Sequence, residues 1–574
     1  MRLRFLKNLI LFAFLLLVLG LVQRQIVQGA YYSQLSQNNR VKLIRLPARR
    51  GFIYDRQGKL IAGARASFNV ALLFSQTQNI DQSLKKISRI LGLPQEGLAK
   101  QYKRNYALPF IPVVVLRDIS KEQAIMLECQ ESEIPGLVVQ TELVRDYQYE
   151  QDACHILGYL GLISETKLKQ YRVYGLRATD LVGQGGLEEQ FDHSLRGQPG
   201  GMQVEVNNRG HQVRVLGSKQ PQPGLDLHLT IDAQLQQTVN KLLEDKTGSV
   251  LVLNPQNGEV LAMVSKPGFA PGLFLDTINA KPQASQQLKR ILNAAEAPLI
   301  NRAISGIYPP GSIFKIVTAA AGLETAKILP QKEVLCSGHH KIGDRNFPCW
   351  NLDGHGNLDI ASALAFSCNV FFYKLGLSLG VDNLTYFSRK FGLGQVTGID
   401  LPYEAAGFVP SKSWKLKTKK ERWYDGETAN FSIGQGDLLS TPLQVARVVA
   451  AVANGGYLIR PHLVKKVGRV ERRDLRLKKE TWSVIKQGMA QAVSGPGGTA
   501  QRADLPGVRW AAKTGTAQAS FGRAHGWFAG FYPLDQPQIL VLVFLEYGGS
   551  GGEFPAMIAK QIIEYVQKNN ISVQ

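Results

Sequence analysis

The sequence predicts a three-part α+β protein: an N-terminal transmembrane helix, a mixed α/β front domain, and a C-terminal domain in which helices pack on an antiparallel sheet. Three observations carry this prediction. A single apolar run near the N-terminus is bounded by basic residues. Short strand-like and helical runs alternate through the front half. Apolar strands recur at both ends of the back half with helical sequence between them, which is the α+β pattern. At 574 residues the chain is too long for one hydrophobic core and must divide into domains.

Arg2, Arg4 and Lys7 precede an unbroken apolar run over 9–22, closed by Gln23 and Arg24. Alone the run is shorter than the ~20 residues of a spanning helix. Phe5 and Leu6 extend it, with Lys7 reaching back to the interface. Polar Gln23-Arg24-Gln25, where a cleavage site would need small residues, favours an uncleaved signal-anchor over a signal peptide. Its basic end should stay cytoplasmic, with the rest of the chain outside. The expected division is 1–24 for tip and anchor, 25–217 for the front domain, 218–230 for a linker and 231–574 for the catalytic domain.

In the front domain, strands are expected at 111–116 and 136–140 and a helix at 121–128. Residues 50–58 read as a strand running into a turn, and glycine-rich 183–201 as irregular. Few residues here look chemical, so this half reads as a spacer or interaction domain. Pro/Gly-rich 217–225 marks the linker. A helix follows at 231–245, then two apolar runs around Asn257-Gly258, a strong hairpin signal. Further strands fall near 508–516, 526–532 and 539–547, with a closing helix at 555–567.

Composition narrows the function. Hydrophobic content of 44% and charged content of 20% exclude wholesale disorder. A net charge of +22 raises nucleic acid as a partner, but the basic residues are scattered among acids and form no binding stripe. An acidic membrane or wall surface fits better. Five cysteines are too few for a disulfide scaffold. Cys129 and Cys154 stand apart and read as buried or free thiols, whereas Cys336, Cys349 and Cys368 fall close together.

Three short motifs matter only together, since each also occurs elsewhere in the chain by coincidence. Ser312 follows Tyr308-Pro309-Pro310-Gly311, which cannot continue a helix, and precedes an apolar helical stretch. It should sit at a helix N-terminus, its N–H free for an oxyanion. Lys315 lies one turn on, within reach of the Ser312 hydroxyl, and desolvation there would lower its pKa toward that of a base. In Ser367-Cys368-Asn369 the serine can relay a proton, and the asparagine can bind a substrate carbonyl and steady the lysine. Lys513-Thr514-Gly515-Thr516 lies in a predicted strand whose edge can bind an extended peptide. Lys513 and Thr514 suit a terminal carboxylate and Gly515 allows close approach. The Thr516 N–H can complete an oxyanion hole with that of Ser312. A second Lys-Thr-Gly at Lys246 leads into the first hairpin, before any nucleophile.

Ser-x-x-Lys, Ser-x-Asn and Lys-Thr-Gly in this order resemble the signature set of the penicillin-binding-protein and serine β-lactamase superfamily. Tyr308–Lys315, the Ile433-Gly-Gln-Gly-Asp-Leu-Leu-Ser-Thr-Pro-Leu-Gln segment and His525-Gly-Trp-Phe-Ala-Gly resemble class B penicillin-binding proteins. Residues 50–56 and 183–200 resemble that family's elongated dimerisation, or pedestal, domain. Within the family the sequence is most similar to the elongation-specific penicillin-binding protein 2 group. The resemblance implies a peptidoglycan D,D-transpeptidase with a Ser312 acyl-enzyme, acting on stem peptides and acylated by β-lactams. It also implies a SEDS-family glycosyltransferase partner of the RodA type. The alternatives are a division-specific paralogue and a D,D-carboxypeptidase or β-lactamase-type hydrolase; an idle scaffold or β-lactam sensor fits the intact motifs and single span less well.

The spacing of Cys336, Cys349, His355 and Cys368 matches no common zinc finger and is a modest signal alone. Penicillin-binding protein 2 enzymes, however, carry a zinc site between the first two motifs, with one ligand the middle residue of Ser-x-Asn. That resemblance implies one structural zinc on these four residues, with His339 and His340 as spare candidates and buried unpaired thiols as the alternative.

Overall fold

The computed structural model describes all residues except 1, 78, 107–111, 171–175, 177, 179, 208–211, 280, 282, 466–469, 520–521 and 572–574. Helix Arg2–Val22 runs on through a π-helical turn, Gln23–Val27. Leu3–Val27 has a mean hydropathy of 2.5 in its most apolar window and is long enough to cross a membrane. It outruns the sequence estimate because Ile26 and Val27 resume an apolar surface after the polar turn.

The chain forms two compact units, one of residues 1–51, 64–145 and 196–225, the other of 52–63, 146–195 and 226–574. This departs from the expected linear boundaries at 217 and 230. Segments 52–63 and 146–195 pack with the C-terminal sequence because Ile53, Ile156, Leu157 and Leu187 share one buried core with Leu229 and Ile231. Nor is 218–230 a free linker: strand Gln212–Lys219 runs into it, and Leu227–His228 pairs in parallel with Ile53–Tyr54. The glycine-rich stretch 183–201 is regular too, with strand Leu181–Gln184 and short helices Gly186–Gln190 and Asp192–Arg196.

The first unit contains an antiparallel sheet of Val41–Leu46, Gly200–Val206 and Gln212–Lys219. A separate core gathers Val70, Leu84, Leu98, Val113 and Leu137. The expected strand at 111–116 is Val113–Ile119, with Ile111 outside the described residues; the one at 136–140 is Leu137–Tyr147. Helix Lys121–Glu128 starts as expected because Ser120 and Gln123 form a capping box.

The second unit is built on a five-stranded antiparallel sheet in the order Val260–Lys266, Gly248–Leu253, Ile539–Leu545, Ala524–Tyr532, Ala511–Gln518. Both faces are covered, so the strands read as continuous apolar runs and not as alternating ones. Leu251, Leu542 and Phe544 face the core of the nucleophile helix and of Pro442–Ala453, every residue of which is buried. Val250, Val541 and Val543 face helices Ala233–Leu242 and Phe554–Lys568. Ala233–Leu242 starts two residues later than expected because the Asp232 carboxylate accepts from Gln234 N and Leu235 N and caps it. The Lys-Thr-Gly strand Ala511–Gln518 is an edge of this sheet.

Candidate active site and metal centre

Tyr308-Pro309-Pro310-Gly311 delivers the chain to Ser312 through a single 3-10 turn, Gly311–Phe314, and the α-helix itself spans Lys315–Glu324. Ser312, expected at the helix N-terminus, is therefore in the lead-in turn, and the α-helix starts one turn later, at Lys315. Gly311 fixes that turn. Its φ is +55°, and its N–H donates to Gly434 O at 2.9 Å. A Cβ here would lie 2.9 Å from Thr516 O, so only glycine lets the nucleophile turn meet the Lys-Thr-Gly strand.

Lys315 is wholly buried. Its Nζ donates to Ser367 O at 2.7 Å, Ser367 Oγ at 3.2 Å and Asn369 Oδ1 at 2.7 Å. All three acceptors come from the second motif; Ser312, half-buried beside the turn, is not hydrogen-bonded to Lys315 among the described residues, although the sequence placed its hydroxyl within reach. Catalytic hydrogen bonds often tighten only when substrate arrives. Burial pushes Lys315 down to about 7, against smaller upward pulls from Cys368 and Cys349. Ser367 is held at φ +52°, an unfavourable region for serine, and this strain turns its carbonyl and hydroxyl toward the same ammonium. Asn369 opens helix Asn369–Lys390, capped by Cys368 Sγ accepting from Phe371 N at 3.4 Å.

Gly515 brings the third motif against this centre: a Cβ on it would sit 3.2 Å from both Pro310 O and Ile313 Cγ1. Lys513 is buried, its Nζ donating to Thr514 O at 2.9 Å. Burial, and then the charge of Lys315, lower its pKa well below the ordinary lysine value. Thr514 Oγ1 donates to Thr499 Oγ1 at 2.8 Å, and Thr516 is exposed on the open strand edge. The structure thus brings Ser312, Lys315, Ser367, Asn369, Lys513, Thr514, Gly515 and Thr516 together.

Cys336, Cys349, His355 and Cys368 also converge, their ligand atoms all within 4.8 Å of one another. His355 Nδ1 lies 3.6 Å from Cys336 Sγ and from Cys349 Sγ, and Cys349 Sγ lies 4.0 Å from Cys368 Sγ. A tetrahedral zinc with bonds of about 2.3 Å to sulfur and 2.0–2.1 Å to nitrogen needs edges of roughly 3.6–3.8 Å, so the donor set fits. Strand Val334–Cys336 pairs with Gly356–Leu358, which delivers Cys336 and His355 side by side. His339 and His340 pair away in the strand His339–Ile342. All five cysteines are free thiols; Cys129 is exposed and Cys154 buried.

Two features escaped the sequence reading of the site. Gln435 Nε2 donates to Thr516 O at 3.2 Å, while Gly434 O accepts from Gly311, so the turn at 433–436 ties the nucleophile to the third motif. Glu546 accepts from Tyr308 Oη at 2.5 Å and from Arg302 Nε at 2.9 Å, anchoring the approach to Ser312. The glycines flanking Gln435 were the available signal for the first; nothing local marked Glu546.

A family model described as the penicillin binding protein transpeptidase domain matches residues 248–564, and one described as the penicillin-binding protein dimerisation domain matches 45–229. The chain is 32% identical to the peptidoglycan D,D-transpeptidase MrdA of Haemophilus influenzae, over 99% of this chain and 94% of that one. It superposes on a complex between penicillin-binding protein 2 and MreC from Helicobacter pylori with a TM-score of 0.84 at 28% identity, covering 92% of this chain and 99% of that one. A structure titled for the coordination of polymerization and crosslinking by a peptidoglycan synthase complex gives 0.74 at 30% identity, covering 100% and 99%.

Proposed function

Because the chain belongs to the class B penicillin-binding proteins, of the penicillin-binding protein 2 type, we propose that Ser312, Lys315, Ser367, Asn369 and Lys513 do the chemistry of its peptidoglycan D,D-transpeptidase activity. The reaction is serine-type acyl transfer between D-Ala-D-Ala stem peptides, in the service of cell elongation. The observation that carries the residue roles is the buried Lys315 ammonium site, lowered to about 7 and held between Ser367 and Asn369 one turn after Ser312.

In this reading neutral Lys315 takes the Ser312 hydroxyl proton as Oγ attacks the carbonyl carbon of the penultimate D-Ala. The oxyanion is held by the N–H groups of Ser312 and Thr516. Collapse breaks the peptide C–N bond. The proton passes from Lys315 through Ser367 Oγ to the leaving nitrogen, and the terminal D-Ala departs as an amine. An amine of a neighbouring stem then attacks the ester carbonyl, loses its proton by the reverse route and frees Ser312. The open edge of Ala511–Gln518 takes the donor stem as an added strand, while Lys513 and Thr514 supply donors toward its terminal carboxylate.

Three further elements complete the proposal. Cys336, Cys349, His355 and Cys368 hold one structural zinc, whose four protein ligands leave no open position for water activation. Its effect is mechanical, since Cys368 lies between Ser367 and Asn369 and caps the Asn369 helix. The apolar Leu3–Val27 helix anchors the chain, with Arg2, Arg4 and Lys7 cytoplasmic and the second unit outside. Its partners are a SEDS glycosyltransferase of the RodA type and an MreC-type component of the elongation machinery, in line with the structures it resembles.

The test is cross-linking itself. Purified protein supplied with nascent glycan strands and a SEDS polymerase should form D,D-cross-linked dimers, absent with Ser312→Ala. Dimers formed equally by the variant would refute Ser312 as nucleophile. Release of D-Ala without dimers would favour a carboxypeptidase.

A further inference from the structure

The Lys-Thr-Gly strand and the helix that leads into Ser367 are joined by a side chain that none of the three motifs contains. Helix Lys479–Ser494 lies so close to helix Ile360–Ala365 that a Cβ on Gly488 would sit 2.6 Å from Ala361 O. Beyond its end the chain folds back, with Gly495 N donating to Gln491 O and Ala500 N to Ala492 O, each at 2.8 Å. Gly498 leaves no room for a side chain, since a Cβ there would meet Ala492 O at 2.4 Å. Half-buried Thr499 is therefore pinned from both sides.

The Thr499 N–H and hydroxyl both donate to Ala365 O, at 3.3 Å each. Ala365 ends its helix, where carbonyls lack helical partners, and Ser367 follows two residues on. On the other side Thr499 Oγ1 accepts the Thr514 hydroxyl at 2.8 Å. Each hydroxyl has a single proton. In this arrangement Thr514 has given its proton to Thr499, so toward a ligand it offers lone pairs, which repel a carboxylate. Thr514 can hold a carboxylate only by turning that proton outward. Thr499 can follow, because Ala365 O keeps the Thr499 N–H when the hydroxyl leaves it. The Thr499 O–H then donates to Thr514 Oγ1, and Thr514 donates to the ligand. Only hydroxyl rotors turn. The two O–H dipoles then point the same way and strengthen each other.

We propose that Thr499 is a positioning residue for the terminal carboxylate of the donor, the rear member of a two-hydroxyl relay through Thr514 that reverses when an anion arrives. This rests on the reading that Thr514 meets that carboxylate. The relay selects a charged terminus over a neutral one. An anion draws both protons outward with a charge-assisted bond, about twice as strong as the neutral bond given up, whereas a neutral terminus offers only an even exchange. Thr499 itself never touches the ligand.

The test compares acylation of the full chain by benzylpenicillin, which carries a carboxylate, and by its methyl ester, which does not. Adduct formation is timed by intact-protein mass spectrometry, and the quantity read is the ratio of the two second-order rate constants, acid over ester. Thr499→Val removes the hydroxyl, keeps the shape and should lower the ratio about tenfold. Thr499→Ser keeps the hydroxyl and should hold the ratio near that of the natural protein. Thermal melts check folding, and Thr499→Ala, with the same expected loss, takes the place of valine if that variant does not fold. Thr514→Val tests the underlying reading and should lower the ratio at least as far. A ratio unchanged in Thr514→Val would overturn that reading and the relay with it. A ratio lowered in Thr514→Val but unchanged in Thr499→Val, as when both probes are slowed equally, would overturn the relay alone. So would a loss that Thr499→Ser shares.

Discussion

Acylation of Ser312 should follow one ionisation near pH 7, that of Lys315. A lysine ordinarily titrates at 10.5, and burial pushes this one down to about 7. At about 1.4 kcal/mol per unit, burial disfavours the ammonium form by roughly 5 kcal/mol. At pH 7 an unburied lysine would be neutral in about one molecule in three thousand, whereas about half of Lys315 is neutral and able to accept the serine proton. The rate of acylation by a fluorescent penicillin, measured at fixed ionic strength from pH 5.5 to 10, should therefore rise about tenfold per unit below pH 6 and level off above pH 8. Lys315→Arg, charged at every pH, should not be acylated at any of them. The same shift has a sign for stability. The unfolded chain keeps the lysine proton up to 10.5 and the folded chain only to about 7, so this group makes stability rise with pH across that window. A rate that is flat from pH 6 to 9, or that climbs without a plateau to pH 10, would refute Lys315 as the base.

Other perturbations reach different parts of the account. Gln435→Leu removes the bond to Thr516 O and should slow acylation about tenfold while leaving the Tm within a few degrees, because only one exposed neutral hydrogen bond is lost; an unchanged rate would remove Gln435 from the positioning machinery. Cys349→Ser should lower bound zinc from about one per chain to near zero, depress the Tm and slow acylation without abolishing it, as metal analysis and thermal melts with chelator would show. A disulfide between any two of Cys336, Cys349 and Cys368 would contradict the metal site. Deleting residues 1–27 should move the protein from the membrane to the soluble fraction with penicillin labelling intact, and N-terminal sequencing of the natural protein should not begin at Ala30 or Tyr31.

Much of this was legible in the sequence, for identifiable reasons. Pro309-Pro310-Gly311 fixes where a helix cannot be, so the helix start was placed at Ser312, within one turn of Lys315, where the α-helix begins. The apolar runs at 248–266 and 511–545 could be placed in one antiparallel sheet because strands buried on both faces leave strong continuous signals. What was not legible depended on long-range packing. Ile53 and Leu187 carry no local mark saying that they pack with Leu229 and Ile231, so the interleaving of the two units was invisible and the boundaries were drawn as a line. Ser367 at φ +52° contradicts serine's local preference and is imposed by the surrounding fold. The 3-10 turn at Gly311–Phe314 depends on Gly434, far along the chain, accepting the Gly311 N–H. Sequence separation of that size leaves pattern reasoning with nothing to read.

The most direct test of the central claim is the mass and position of the covalent adduct formed with penicillin. Intact-protein mass spectrometry should show a single addition of one penicillin per chain, and peptide mapping should place it on Ser312. Ser312→Ala should carry no adduct, and Lys315→Ala almost none, since the pair acts as one unit. An adduct that persists in Ser312→Ala, or that maps to another serine, would contradict the account.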